Sequence, residues 1–268
     1  MTLEQEQDYL TRIEAGLKAA AAIFADYTPG DVETAYKSGD DPVTKADHAV
    51  DAALRPILQR AGEGWLSEET IDDLDRMKCS ICWVVDPLDG TREFVKGIPE
   101  WCVSIGLVEN GRAVAGGIYN PQTKETFLGS KQTGITYNGA PAKPKAATSL
   151  NGARVLASRS EISRGEWDGF ASAGFVTVPM GSVAYKLARV AAGLDEVTFT
   201  LVPKNEWDVA AGVALVESAG GFARDLSNSE IPFNCKSTLL TGMFAGCPGV
   251  QEELTALLAP HLGELAAR

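Results

Sequence analysis

Histidine is nearly absent: His48 and His261 are the only two in 268 residues. That excludes a histidine-rich zinc site. A Ser/His/Asp triad would have to use one of the two, and neither stands in a recognisable setting. Positive charge is also in deficit, with 24 Lys and Arg against 36 Asp and Glu, a formal net charge of −12. The sign argues against nucleic-acid polymers and anionic membranes as partners. A small anionic substrate stays compatible, because a bound cation inverts the local field. No apolar run reaches the roughly 18 residues of a membrane span. Cysteines are odd in number and scattered, at 79, 82, 102, 235 and 247, which suits reduced thiols rather than a disulfide framework. The acidic start MTLEQEQDYL lacks the charged-then-apolar pattern of a leader, so a cytoplasmic location is expected.

The chain is long enough for one large or two small domains. Apolar residues at Leu3, Leu10, Ile13, Leu17, Ala20 and Phe24 have helical spacing and predict a helix over 3–26. A second helix is expected over 45–60. Ile81 to Val85 reads as a buried strand stopped by Asp86-Pro87. The runs CVSIGLVE, RAVAGGIYN, ETFLGS and GITY, separated by turn signals, predict an antiparallel meander. The Pro- and Lys-rich stretch 139–152 is the expected boundary between units 1–145 and 146–268. Beyond it, strands near 153–158, 175–178, 196–201, 221–224 and 237–241 alternate with helices over 163–172, 183–192, 207–218 and 248–266, an α/β pattern.

The densest chemical signal is Asp86-Pro87-Leu88-Asp89-Gly90-Thr91. Two carboxylates three apart at a strand end can share divalent cations through hard oxygen ligands. The Gly90 and Thr91 amides, where a short helix would open, can hold a phosphate. Three further acidic sites are Asp47, Ser67-Glu68-Glu69 and Trp207-Asp208. Taken singly, each has an ordinary reading as helix-start charge.

Together and in this order, they resemble the magnesium-dependent, lithium-sensitive phosphatase superfamily typified by inositol monophosphatase. Its signature is an early Asp, then Glu-Glu, D-P-[IL]-D-G-[ST] and W-D-x-A-A. Here these are Asp47, Glu68-Glu69, Asp86 to Thr91 and Trp207 to Ala211. The resemblance implies a five-layer αβαβα sandwich, a homodimer and two to three Mg²⁺ ions per site. It assigns Glu68, Asp86 and the Leu88 carbonyl to a first ion, Asp86, Asp89 and Asp208 to a second, and Glu68 to the neighbourhood of a third. Thr91 and Asp47 match the pair that positions and activates the attacking water, with Glu68 beside them. Asp89, Gly90, Thr91, Gly181, Ser182, Val183 and Asp208 match the substrate-lining positions. The chemistry is consistent: a phosphate monoester is a dianion, and metal ions neutralise it while lowering the pKa of a bound water.

The implied substrate is a small phosphate ester. The acidic residue that holds inositol hydroxyls in inositol monophosphatases falls here at Thr200 or Leu201, neither of them acidic. The strings Leu66-Ser67-Glu68-Glu69, Asp89 to Phe94, Ser158-Arg159-Ser160 and Asn205 to Asp208 resemble the bisphosphate nucleotidases, which hydrolyse 3′-phosphoadenosine 5′-phosphate. Glu161 stands where that branch carries His. Lys186 and Lys204 are candidate partners for a second phosphate, against an ordinary role as solvated lysines. Inositol 1-phosphate, or a broad range of sugar phosphates, is the alternative substrate. A regulatory protein-binding role on the same fold is the alternative class. A haloacid-dehalogenase reading fails on register, because D-x-x-D-G-T is one residue longer than D-x-D-G-T. The pair Cys79 and Cys82 has redox spacing but no second pair, and Tyr185, Trp167 and Phe170 read as packing residues.

Overall fold

The structure, a computed structural model, describes residues 2–37 and 42–265. Residue 266, the end of the last expected helix, lies outside the described residues, as does the His261 side chain. The first half contains α1 (Leu3–Phe24), an antiparallel pair β1 (Thr34–Tyr36) and β2 (Pro42–Thr44), α2 (Lys45–Leu58), β3 (Gly64–Ser67), β4 (Ile81–Asp89) and α3 (Thr91–Val95). The meander follows as β5 (Cys102–Glu109), β6 (Arg112–Asn120), β7 (Glu125–Ser130), β8 (Gly134–Tyr137) and β9 (Ala140–Ala142). Strands β3 to β9 form one seven-stranded sheet in chain order. All its pairs are antiparallel except β3–β4, which is parallel. The expected boundary 139–152 therefore begins in the turn before β9 and takes in that strand, and the irregular stretch is 143–153.

The second half runs β10 (Arg154–Ser158), α4 (Arg159–Ser163), β11 (Val176–Met180), α5 (Val183–Ala191), β12 (Val197–Thr200), β13 (Lys204–Asn205), α6 (Glu206–Ser218), β14 (Phe222–Asp225), β15 (Leu239–Leu240), β16 (Met243–Gly246) and α7 (Gln251–Leu265). Its five-stranded sheet has the order β11-β10-β12-β16-β14. It is mixed rather than purely parallel, because β16 pairs antiparallel with both neighbours.

Three expectations need correction. The expected helix over 163–172 is only α4 and one 3₁₀ turn at Asp168–Phe170, because Gly165 turns the chain at φ 77°. The expected strand near 237–241 is β15, which pairs with β13 outside the main sheet. The fifth sheet strand is β16, whose four residues are too short to show a pattern. The strand through Val85 does not stop at Asp86-Pro87. It continues to Asp89 across a register irregularity, with Asp86 opposite Ser104 and Asp89 opposite Cys102. An irregularity of this kind absorbs the proline's missing N–H.

Burial resolves the layers. Alternate residues of β4 and β5 point to opposite faces. Trp83, Val85, Val103 and Ile105 meet Ile13, Leu17, Val50 and Leu54 of α1 and α2. Cys82, Val84 and Cys102 meet Leu187 of α5 and Val209 and Val213 of α6. The second sheet presents Leu156 and Ala245 to the same two helices. Its other face, with Val155, Phe199 and Phe244, packs on Trp167, Phe170, Leu254 and Leu258. The result is the five-layer αβαβα sandwich. Helix α6 is buried on every side, as a central-layer helix must be. It lies against the first sheet closely enough that a Cβ on Gly116 would stand 2.4 Å from the Ala211 carbonyl oxygen.

Candidate active site

The irregularity in β4 makes three residues of this strand face two of β5. That turns Asp86, Leu88 and Asp89 together to the end of the sheet. The chain then reverses at Gly90, at φ 97°, where a Cβ would stand 2.9 Å from the Glu100 carbonyl oxygen, so glycine is required there. Thr91 opens α3, and its hydroxyl lies 3.0 Å from the Leu88 carbonyl and 3.2 Å from Asp47 Oδ1.

Capping boxes supply two more carboxylates. In α2, Asp47 accepts from the Thr44 amide at 2.8 Å and the Thr44 hydroxyl at 2.7 Å, which leaves its other oxygen to Thr91. In α6, Asp208 accepts from the Asn205 amide at 2.9 Å. Glu68 follows β3 and is engaged by Lys37 Nζ at 2.8 Å, with the same ammonium on Glu69 at 2.5 Å.

These residues converge on one cleft of about 740 Å³. Glu68, Asp86, Leu88, Asp89, Gly90, Thr91 and Asp208 line it from one side, and Gly181, Ser182 and Val183 from another. Asp47 is buried one step behind Thr91, so it reaches the cleft only through that hydroxyl. Every other site residue expected from the sequence is on the cleft wall.

The electrostatics are those of crowded like charges. Burial, then the neighbouring carboxylates, pushes Asp86 and Asp208 well up. Burial also raises Asp89, Glu68 and Asp47, although Ser182, Lys37 and Thr44 respectively pull them back. Among the described residues no three acidic side chains form a ready-made coordination cluster. Instead, each carboxylate has an oxygen engaged in a protein contact, Asp86 with the Leu88 amide and Asp89 with Ser182. The donors are all oxygen, and their mutual repulsion is what a hard divalent cation relieves, so the residues fit Mg²⁺.

The cleft wall carries cations as well. Lys186 is 2% exposed, yet it lines the cleft, and it is not the solvated lysine of the ordinary reading. Burial, with Lys204 adding to it, pushes Lys186 down to about 8. Glu161 is buried beneath this wall. It accepts from Thr200 Oγ1 at 2.7 Å and from Trp167 Nε1 at 3.2 Å, and it pairs with Lys204 at 3.4 Å. The acid that would oppose a phosphate is thus a counter-ion for the lysines. Tyr185 is a packing residue whose hydroxyl donates to Glu125, and Cys82 is a buried thiol.

Sequence reading missed Lys37, Glu100 and Arg76. Glu100 accepts from the Gly181 amide at 2.7 Å and from Arg159, fixing the turn on the cleft wall. Arg76 is buried. It contacts Asp72, Asn234 Oδ1 and the Cys235 carbonyl, while Glu206 accepts from the Asn234 and Cys235 amides. These contacts span about 160 residues of sequence, and no local pattern announces them.

An acidic, all-oxygen site where the layers of an αβαβα sandwich meet suits metal-assisted hydrolysis of phosphoric monoesters. A family model described as the inositol monophosphatase family matches residues 4–266, and the chain belongs to that family. It is accordingly a phosphatase acting on small phosphate esters. It is 33% identical over 250 residues to inositol monophosphatase 3 of Solanum lycopersicum, covering 88% of this chain and 92% of that one. It is 28% identical over 271 residues to the Nus factor SuhB of Escherichia coli, covering 96% and 97%. The structure of an inositol monophosphatase from Anabaena superposes with a TM-score of 0.79 at 26% identity, covering 96% of this chain and 97% of that one. No helix among the described residues is long and apolar enough to cross a membrane.

Proposed function

We propose that the chain is a Mg²⁺-dependent phosphomonoesterase whose substrate carries a second phosphate, with 3′-phosphoadenosine 5′-phosphate the first choice. The observation that carries this is Lys186. It is a buried ammonium on the cleft wall that has no hydrogen bond or ion pair among the described residues, with Lys204 beside it. Glu161, Asp89 and Glu93 attract it without a direct contact, and they offset the cost of burial only in part. A second anion on the substrate supplies a direct partner while the first phosphate meets the carboxylates.

In this reading Glu68, Asp86 and the Leu88 carbonyl would hold one ion, Asp86, Asp89 and Asp208 would hold a second, and Glu68 would adjoin a third. Bound magnesium supplies charge neutralisation of the phosphoryl oxygens and a more acidic water. The remaining steps belong to the chain. Thr91 Oγ1 accepts a proton from the attacking water and donates its own to Asp47 Oδ1. Burial raises Asp47 and makes it the stronger base, while Thr44 fixes its orientation. The Gly181 to Val183 turn and the Gly90 and Thr91 amides hold the ester in place, and no covalent phospho-enzyme is needed.

The second reading is inositol monophosphatase activity, which the name of the tomato relative favours. Phosphate release from 3′-phosphoadenosine 5′-phosphate and from inositol 1-phosphate at equal Mg²⁺ separates the two. The first reading expects the nucleotide to win in kcat/KM, and a preference for inositol 1-phosphate overturns it. The homodimer, the cytoplasmic setting, inhibition by Li⁺ and the division into units 1–145 and 146–268 belong to the same proposal. Sedimentation at only the monomer mass of 28.4 kDa would remove the dimer.

A further inference from the structure

Ser182 stands in a backbone conformation that L-residues avoid, at φ 56° and ψ 120°. Of the non-glycine residues at positive φ among those described, it alone lines the cleft. Such strain persists only where the surroundings impose it. Here the surroundings converge on one metal-ligand candidate. Ser182 Oγ donates to Asp89 Oδ2 at 2.6 Å, and the Ala184 amide donates to the same oxygen at 2.6 Å. The Tyr185 amide donates back to Ser182 Oγ at 3.0 Å, and Cys102 Sγ lies 3.3 Å behind it. The turn is pinned upstream as well, by the Gly181 amide on Glu100. A Cβ on Gly181 would stand 2.5 Å from Glu93, so the chain has little freedom to relax there. Asp89 Oδ2 thus carries two donors, while Oδ1 has no protein donor among the described residues.

We propose that Ser182 is a positioning residue: its strained backbone places the hydroxyl on Asp89 Oδ2 and so fixes the carboxylate with Oδ1 presented to the divalent cation. This goes beyond its expected role as a substrate contact, and it rests on the reading of Asp89 as a metal ligand. A carboxylate with one oxygen saturated by two fixed donors cannot rotate freely. Partners of this kind behind a ligand are worth about 10–100-fold in metal affinity.

The test uses three variants of the full chain, Ser182→Ala, Ser182→Gly and Ser182→Thr. Each is read by Mg²⁺ titration calorimetry without substrate and by melting of the metal-free protein. Alanine and glycine both lose the hydroxyl, so both bind Mg²⁺ about 10–100-fold more weakly. Glycine melts higher than alanine, because the Cβ that makes this φ costly is gone. Threonine keeps the hydroxyl and Mg²⁺ affinity close to wild type while melting lower, because its branched Cβ adds strain. Affinity and melting temperature therefore rank the variants differently. If Mg²⁺ affinity instead follows melting temperature across the three, Ser182 is a structural residue and the proposal fails. It also fails if alanine and glycine bind Mg²⁺ normally and only KM rises. Asp89→Asn tests the underlying reading separately: Mg²⁺ affinity equal to wild type in that variant removes Asp89 from the ligand set.

Discussion

Replacing Lys186 with methionine keeps the length of the side chain and removes only its ammonium. The native residue is 2% exposed, so solvent screening offers little relief, and burial pushes its pKa from the ordinary 10.5 down to about 8. At 1.36 kcal/mol per unit, that shift corresponds to a penalty of about 3 kcal/mol on the charged form, with the attraction of Glu161 already contained in it. The folded pKa is depressed, so the unfolded chain binds more protons between about pH 8 and 10.5, and wild-type stability rises with pH across that window. Lys186→Met is therefore expected to be more stable than wild type by about 3 kcal/mol at pH 7. That is several degrees of melting temperature for a chain of this size. The gap should close by about pH 10.5. Denaturant unfolding of both proteins at pH 7 and pH 10 reads the stability. The ratio of kcat/KM for 3′-phosphoadenosine 5′-phosphate over adenosine 3′-phosphate reads the function, and the variant should lose the preference for the bisphosphate. A variant less stable at pH 7, or a gap that does not change with pH, refutes the reading of Lys186 as a buried charge that its neighbours offset only in part.

Asp86→Asn should abolish Mg²⁺ binding and turnover while stabilising the metal-free protein at neutral pH, since burial and three carboxylates already oppose its charge. Calorimetry and melting check both effects, and normal turnover would mean the site is misassigned. Thr91→Ala should leave Mg²⁺ affinity unchanged and lower kcat by about 10²-fold or more, because it cuts only the proton path to Asp47; loss of metal affinity would contradict that division of roles. The buried carboxyls have raised folded pKa values, so their stabilising contribution is present in acid and lost as pH rises through those values. The metal-free protein should accordingly melt lower at pH 8 than at pH 5, and saturating Mg²⁺ should remove the slope. A metal-free melting temperature that rises over that range would contradict it.

What the sequence revealed depended on range. The α1 and α2 helices and the β5 to β8 meander were legible because apolar period and turn residues are local signals. The carboxylates of the candidate site were legible because Asp86, Asp89, Asp208 and Asp47 sit at strand ends and helix caps, where the local string sets the geometry. The passage of β4 through Pro87 was hidden, since a proline normally ends such a run and only pairing with β5 absorbs it. Strand β16 was hidden by its four residues. The pairing of charges around Lys186 and Lys204 was hidden for a different reason. Glu161, Thr200 and Lys204 meet across about 40 residues of sequence, so the partnership that turns Glu161 from an obstacle into a counter-ion exists only in the folded chain. The same holds for Ser182, whose hydroxyl finds Asp89 across 93 positions.

The carboxylates of Glu68, Asp86, Asp89 and Asp208 are proposed to hold the metal ions that assist hydrolysis of a phosphate ester. Phosphate release decides this, measured on 3′-phosphoadenosine 5′-phosphate, inositol 1-phosphate, fructose 1,6-bisphosphate and histidinol phosphate. Each is run with Mg²⁺, after EDTA treatment and after Mg²⁺ is restored. Turnover is expected to disappear with EDTA, to return with Mg²⁺ and to be greatest for 3′-phosphoadenosine 5′-phosphate. Full activity retained after EDTA would contradict it.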